Sequence, residues 1–349
     1  MRPISVPLFG LAAASPLVLL ALSLILGGLW PYLALLYILL AAVALDLLIP
    51  LAAADGVDRE FPAADVLLIL LGIFALIALP ALTWAIAGSS GLTLPARLAL
   101  LLAGGLWFGQ VAHPVAHELI HRPRPLFWLG LAVYTALIFG HHTSSHRLVH
   151  HRFVASPDDP NSARAGESFY PFARRAWIGS FRHGLRAETT LRAHARSPGL
   201  HPYFLYTGGA VAALLFAALI AGPWGAAAWL AMGCHAGLQI LLSDYVQHYG
   251  LTRPTTDGKP DKVTMAQSWN TPHWFSSALM LNAPRHSDHH AHPSRPYPAL
   301  RLPSDAPTLP WPMPLACMIA LLPNLWRRKM RPVLAGVQQP LRKAPLAKD

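Results

Sequence analysis

The chain has 349 residues, 54% of them hydrophobic and only 12% charged, about half the charged share of a soluble domain. The formal charge of +11 comes from basic residues clustered between and after long apolar blocks, a pattern that suits loops facing anionic lipid and leaves no call for a nucleic-acid partner. Two cysteines, Cys234 and Cys317, without a CxxC pair exclude a disulfide framework, a thiolate zinc site and a fused iron–thiolate domain.

Taken in order, four apolar blocks come first: residues 8–30, 31–54, 65–88 and 94–116. Each approaches the ~20 residues needed to cross the hydrocarbon of a bilayer. The first is longer than the ~7–15 residues of a signal-peptide core, so it is expected to be retained as a span. Asp46 interrupts the second block, and a carboxylate at that depth implies a role. The polar link 55–61 follows the second block. Residues 126–139 are also apolar but number only 14, which is marginal for a crossing. Blocks 203–221 and 224–244, joined at Gly222-Pro223, predict a transmembrane hairpin.

Alternate crossing from a cytoplasmic N-terminus ends the fourth block on the cytoplasmic side, at His117 and His121. If residues 126–139 dip in or lie along the interface, the segment 121–202 stays on that side. It holds 11 arginines against four acids, as the positive-inside rule requires. The acid-rich 55–61 link runs against this orientation. The expectation is an all-α integral membrane protein of six transmembrane helices with a cytoplasmic histidine-rich region. Both termini are cytoplasmic and the setting is a bacterial inner membrane. Residues 1–335 read as one membrane-embedded domain, and 336–349 as a disordered polar tail.

The 18 histidines outnumber the 16 carboxylates, and they cluster. His117 and His121, in HELIH, share one helix face a turn apart. His146, His150 and His151 repeat the i, i+4 spacing and add a neighbour; adjacent residues diverge by ~100°, so that pair suits two metals. His286, His289 and His290 do the same with i, i+3. Each cluster stands at the end of an apolar block, where three chance patches are hard to credit. His248, alone after a span, would be left out on spacing. Imidazole suits zinc, iron, copper and nickel alike, so spacing does not choose the metal. A metal transporter would place its ligands near the bilayer midplane, and a zinc protease would need only HELIH.

HELIH, the HxxxHH cluster, Gln247-His-Tyr-Gly250 and Arg285-His-Ser-Asp-His-His-Ala-His-Pro293 resemble the membrane-bound alkane 1-monooxygenase family, within the histidine-rich fatty acid desaturase and hydroxylase superfamily. The most specific stretch is Val154-Ala-Ser-Pro-Asp-Asp-Pro-Asn-Ser-Ala163 with Gly166-Glu-Ser-Phe-Tyr170. It marks His150-His151, not His141-His142, as the pair. The resemblance covers residues ~100–302 and implies nine ligands for two iron ions: His117, His121, His146, His150, His151, His248, His286, His289 and His290. It also implies O2 as co-substrate, an apolar substrate, and electrons from a rubredoxin or ferredoxin with its reductase. A lipid desaturase or hydroxylase, or a xylene-type aromatic side-chain monooxygenase, is the alternative within the fold. Ser145, Val149, Arg122 and Pro284 depart from the family pattern without removing a ligand, which points to a divergent branch. Glu118, Asp244 and Asp288, with His273 and His292, are candidates for groups that orient the ligands, because ligating imidazoles give their other N–H to an outer partner.

Overall fold

Apolar side chains that find no core must face lipid, and the first helices of this chain are built on that division. The computed structural model describes residues 4–49, 52, 55, 61–197 and 199–343. Helices α1 (Val6–Leu26), α2 (Trp30–Leu48), α3 (Pro62–Ala87) and α4 (Leu94–Ile120) are each long and apolar enough to span a membrane. Their outward faces expose Leu11, Leu26, Ile77 and Leu98, while their inward faces bury Ala12, Ala13, Ala34, Ala42, Ala75 and Ala103. Small inward residues let helix backbones approach where lipid gives no hydrophobic drive to pack. The Trp107 indole N–H donates to the Ala13 carbonyl (3.1 Å), tying α4 to α1.

The segment 126–139 yields α5 (Leu126–Ala136), whose 11 residues rise only ~17 Å, short of the ~30 Å of hydrocarbon. It lies in backbone contact with the end of α4, since a methyl at Gly130 would overlap the Ala116 carbonyl and the Leu119 side chain. Helix α6 (residues 142–153) and the arginine-rich α7 (Phe169–Ala193) follow.

Helix α8 (Pro202–His248) runs 47 residues but leaves helical geometry at Ala221 and Gly222, where Gly222 takes φ +64°. Phe216 and Trp229, 13 positions apart, have ring centroids 6.3 Å apart; a straight helix would separate them by ~20 Å. The chain therefore folds back at Gly222-Pro223, as the sequence predicts. Beyond it come a short hairpin of β1 (Thr255–Thr256) and β2 (Lys259–Pro260), then α9 (Trp274–Leu279), α10 (His286–Ala291), α11 (Met313–Ala320) and α12 (Pro323–Lys343). Residues 336–343, expected to begin a polar tail, belong to α12. Residues 344–349, and 56–60 of the acidic link, lie outside the described residues.

Asp46 acquires a role that the sequence did not name. It is buried, and its carboxylate accepts from the backbone N–H groups of Phe275 (2.8 Å) and Ser276 (3.1 Å). It thus caps the first turn of α9 from a distant helix, satisfying donors that a helix start always leaves open. Asp46→Ala strands those donors in a buried place, and the expected loss is ~1–3 kcal/mol of stability. Thermal unfolding in detergent checks it; an unshifted midpoint would refute the capping role.

Candidate metal centre

Two wide turns aim the histidines. In α4 the turn Phe108–Ala112 is π-helical, and in α6 so is His146–His150. The His151 backbone N–H donates to the His146 carbonyl, five residues back, the i→i+5 pattern of a π-bulge. On a regular helix His146 would share a face with His150. The bulge instead brings His151 beside His146 and turns His150 away, a correction to the simple i, i+4 reading of HxxxHH.

Nine imidazoles meet in two groups. One holds His117, His121, His146, His151 and His289; the other holds His150, His248, His286 and His290. Within each group one nitrogen per residue lies within 4.8 Å of all the others. The adjacent pairs His150/His151 and His289/His290 divide between the groups, while His117/His121 and His286/His290 stay together. The groups adjoin, with the His151 and His290 rings 4.6 Å apart. His248, which spacing alone could not recruit, stands in the second group. His141 and His142 belong to neither.

The contacts between these rings fit a shared ion better than hydrogen bonds. His146 Nε2 lies 2.8 Å from Nε2 of both His117 and His151. His286 Nε2 lies 3.1 Å from that of His248 and 3.0 Å from that of His290. One ring nitrogen carries at most one proton and cannot serve two such neighbours. An imidazole nitrogen sits ~2.0–2.1 Å from a first-row ion, which sets cis ligands ~3 Å apart. The Nε2 atoms of His121 and His150 are buried and make no hydrogen bond. The residues present therefore fit two metal ions held wholly by imidazole, with no carboxylate in either group.

Protonation favours the same use. Burial, reinforced by neighbouring imidazoles, lowers His146, His151, His286, His289 and His290 well below the ordinary range. Burial takes His121 down to about 3. His150 is the exception: burial pulls it down, but the adjacent Asp159 charge and hydrogen bond outweigh that and raise it. A metal at the four-histidine group must displace that proton. Loading there is expected to strengthen as pH rises, levelling off once pH passes the raised His150 value. Calorimetry in buffers of different ionisation enthalpy should show proton release from wild type and much less from Asp159→Asn.

Asp159 is the orienting residue that the candidate set omitted. His150 Nδ1 donates to Asp159 Oδ2 (2.8 Å), which turns His150 Nε2 toward its group. The Ser162 hydroxyl (2.7 Å) and the Asn161 backbone N–H (3.1 Å) also donate to this carboxylate. The Asn161 side chain donates onward to Asp244 (2.6 Å), so Asp244 does join the outer network, one step removed. The specific PDDPNS run thus wraps His150, and the signal that marked it was the run's specificity rather than any spacing. His248 Nδ1 donates to the Gln267 carbonyl (3.1 Å), an outer partner no side-chain motif reveals. Gly250, at φ +71°, takes a conformation that favours glycine, and its N–H donates to the Ala163 carbonyl.

The other candidates sit elsewhere. Glu118 accepts from the Tyr297 backbone N–H and pairs with Arg122. Asp288 accepts from His292 Nδ1, from Arg295 and from the Arg301 backbone N–H, holding the chain after α10. His273 precedes α9 in an isolated bridge to Ala52. None of Glu118, Asp288, His273 and His292 has a hydrogen bond to one of the nine imidazoles among the described residues.

A cavity of about 380 Å³ ends on both groups, reaching His117, His146 and His289 of one and His286 of the other. From there it runs between α2, α4, α8 and α11, past Leu35, Leu39, Leu102, Leu106, Ile240 and Met313. An apolar molecule fits such a space with one end at the imidazoles.

The model of the fatty acid desaturase family matches residues 92–309. The chain is similar to alkane 1-monooxygenase 2 of Alcanivorax borkumensis, 30% identical over 250 residues, which is 70% of this chain and 65% of that protein. It is similar to alkane 1-monooxygenase 1 of Pseudomonas aeruginosa, 34% identical over 245 residues, covering 68% and 63%. The xylene/toluene monooxygenase hydroxylase component of Pseudomonas putida is 25% identical over 254 residues, covering 68% and 65%. The matched stretch spans less than two thirds of the length of these relatives.

Proposed function

The chain belongs to the fatty acid desaturase family, and from that membership we propose that it is an integral-membrane, non-haem diiron monooxygenase. Its substrate is an apolar molecule, with the terminal carbon of an alkane-like chain the first candidate for attack. The observation that carries the reading is the meeting of nine imidazoles, in groups of five and four, at the end of an apolar cavity. The same nine residues serve as the ligands of two irons. Iron bound there supplies the reduction of O2 and the oxidation of a C–H bond, with one oxygen atom entering the product and the other leaving as water.

The protein's own residues do the rest. Neutral, buried imidazoles other than His150 hold charge-bearing ions without competing protons. Asp159 and the Gln267 carbonyl fix the rings of His150 and His248. The leucines of α2 and α4 exclude water and align a chain from the bilayer. Two electrons and two protons must enter from outside, since the sequence carries no flavin, nicotinamide or iron–sulfur motif. A soluble rubredoxin or ferredoxin with its reductase supplies the electrons, and an acidic donor suits the basic segment 121–202. We place six spans in a bacterial inner membrane, with the folded-back α8 counted as two and both termini cytoplasmic.

Metal analysis of purified protein, joined to product analysis with isotopically labelled O2, tests this. Two irons per chain and label in an alcohol support it. An alkene product would make the chain a desaturase, and zinc in fully active protein would defeat the iron assignment. The likeness to the xylene/toluene enzyme favours, as a second reading, attack on the methyl group of an aromatic molecule.

A further inference from the structure

The wall of the cavity carries a polar collar that a plain hydrocarbon does not need. Gln110 and His113 of α4 line the cavity together with His235 and Gln239 of α8. Gln110 Oε1 is buried without a hydrogen-bond partner, and His113, a residue only 1% exposed, keeps one ring nitrogen unpartnered while the Ala236 backbone lies beside the ring. His235 Nδ1 is likewise buried without a partner. These groups sit among leucines, where an unmet polar atom is costly.

The collar is built into the helix packing. A methyl on Gly105 would overlap the His235 ring, and a methyl on Gly109 would overlap the Gln239 amide. Two glycines four apart on α4 therefore make notches in which the polar side chains of α8 lie. Gln239 Nε2 donates to the Gly105 carbonyl at the bottom of its notch (2.8 Å). Ordinary apolar packing would need neither the notches nor the polar side chains.

We propose that the substrate is an apolar molecule that already carries one neutral hydroxyl, bound by Gln110 and His113 while its far end meets the histidine groups. An amide oxygen accepts and an imidazole both donates and accepts, which is the complement of an alcohol. No lysine or arginine lines this cavity among the described residues, whereas Glu118 and Asp244 do. A carboxylate would find no cationic side chain to pair with in that lining, and a neutral hydroxyl needs none. His113 and Gln110 lie four and seven residues before His117, so they stand ~6 and ~10 Å along the helix from it. The hydroxyl is thus held several carbons from the carbon that is attacked, and the product is a diol: one C–H bond becomes C–OH, with O2, two protons and two electrons from the external donor consumed and one water released.

This rests on the monooxygenase reading, so the experiment separates binding from chemistry. Purified protein in lipid nanodiscs is given radiolabelled dodecanol or dodecane, with empty nanodiscs correcting for partition into lipid. Wild type is expected to bind dodecanol about tenfold more tightly than dodecane, with Gln110→Leu and His113→Phe each erasing the preference. Two separate variants guard against one that fails to fold, and bound metal content reports folding in each. Equal binding of the two molecules by wild type overturns the proposal, as does a preference that survives both substitutions. Turnover is then measured on the same samples supplied with O2 and a reduced rubredoxin or ferredoxin. Preference without any oxygenated product leaves the pocket assignment standing and sinks the monooxygenase. Oxygenated dodecane with no preference for dodecanol does the reverse.

Discussion

Replacing His286 by alanine should abolish hydroxylation and strip metal from the four-histidine group. His286 Nε2 is the hub there, within 3.1 Å of His248 Nε2 and 3.0 Å of His290 Nε2. Its loss leaves three imidazoles around an ion that has no carboxylate to turn to. Loss of an outer-shell partner typically costs ~10–100-fold in affinity or activity, and loss of a ligand from the smaller group must exceed that. His121→Ala gives the contrast. His121 belongs to the five-membered group, so four imidazoles remain. It should keep more metal and more activity than His286→Ala. Metal content per chain and product formation, measured on both variants, decide it. Equal losses would mean that the two groups do not act as separate sites.

That asymmetry could not have been read from the sequence, although its parts could. The spacings of His117/His121 and of the adjacent pairs follow from helix geometry, and the structure splits His150 from His151 and His289 from His290 accordingly. The π-bulge at His146–His150 is a backbone event with no side-chain signature, so the spacing does not tell which of His150 and His151 joins His146. The turn-back of α8 was legible because Gly222-Pro223 breaks a long apolar run. Asp46 was legible as costly but not as a cap, because its partners lie 229 and 230 positions away. Glu118 and Asp288 looked like outer partners because they sit beside ligands in sequence. On a helix, neighbours in sequence point elsewhere, and both carboxylates face other chain segments.

Asp159→Asn is the second large effect, and it follows from counting donors. Three N–H or O–H groups converge on the Asp159 carboxylate, from His150, Asn161 and Ser162. A carboxylate accepts all three, whereas an amide must turn its own NH2 toward one of them. The change keeps the shape, removes the charge and frees His150 to rotate or change tautomer. Metal affinity at the four-histidine group, or activity, is expected to fall ~10–100-fold. Asp244→Asn keeps an amide oxygen that can accept from the Asn161 side chain and should cost less.

The metal-free protein offers an independent reading through pH. Burial would raise Asp159, but the His150 charge and hydrogen bond outweigh it and hold Asp159 below its usual 3.8. The same pair holds His150 above 6.5. The stabilisation from Asp159 is complete above 3.8 and fades as pH falls through its lowered value, while that from His150 is complete below 6.5 and fades as pH rises through its raised value. Wild type should therefore exceed Asp159→Asn in unfolding temperature most between pH 3.8 and 6.5, with the gap narrowing above. A gap that widens toward alkaline pH would show that Asp159 supports some group other than His150.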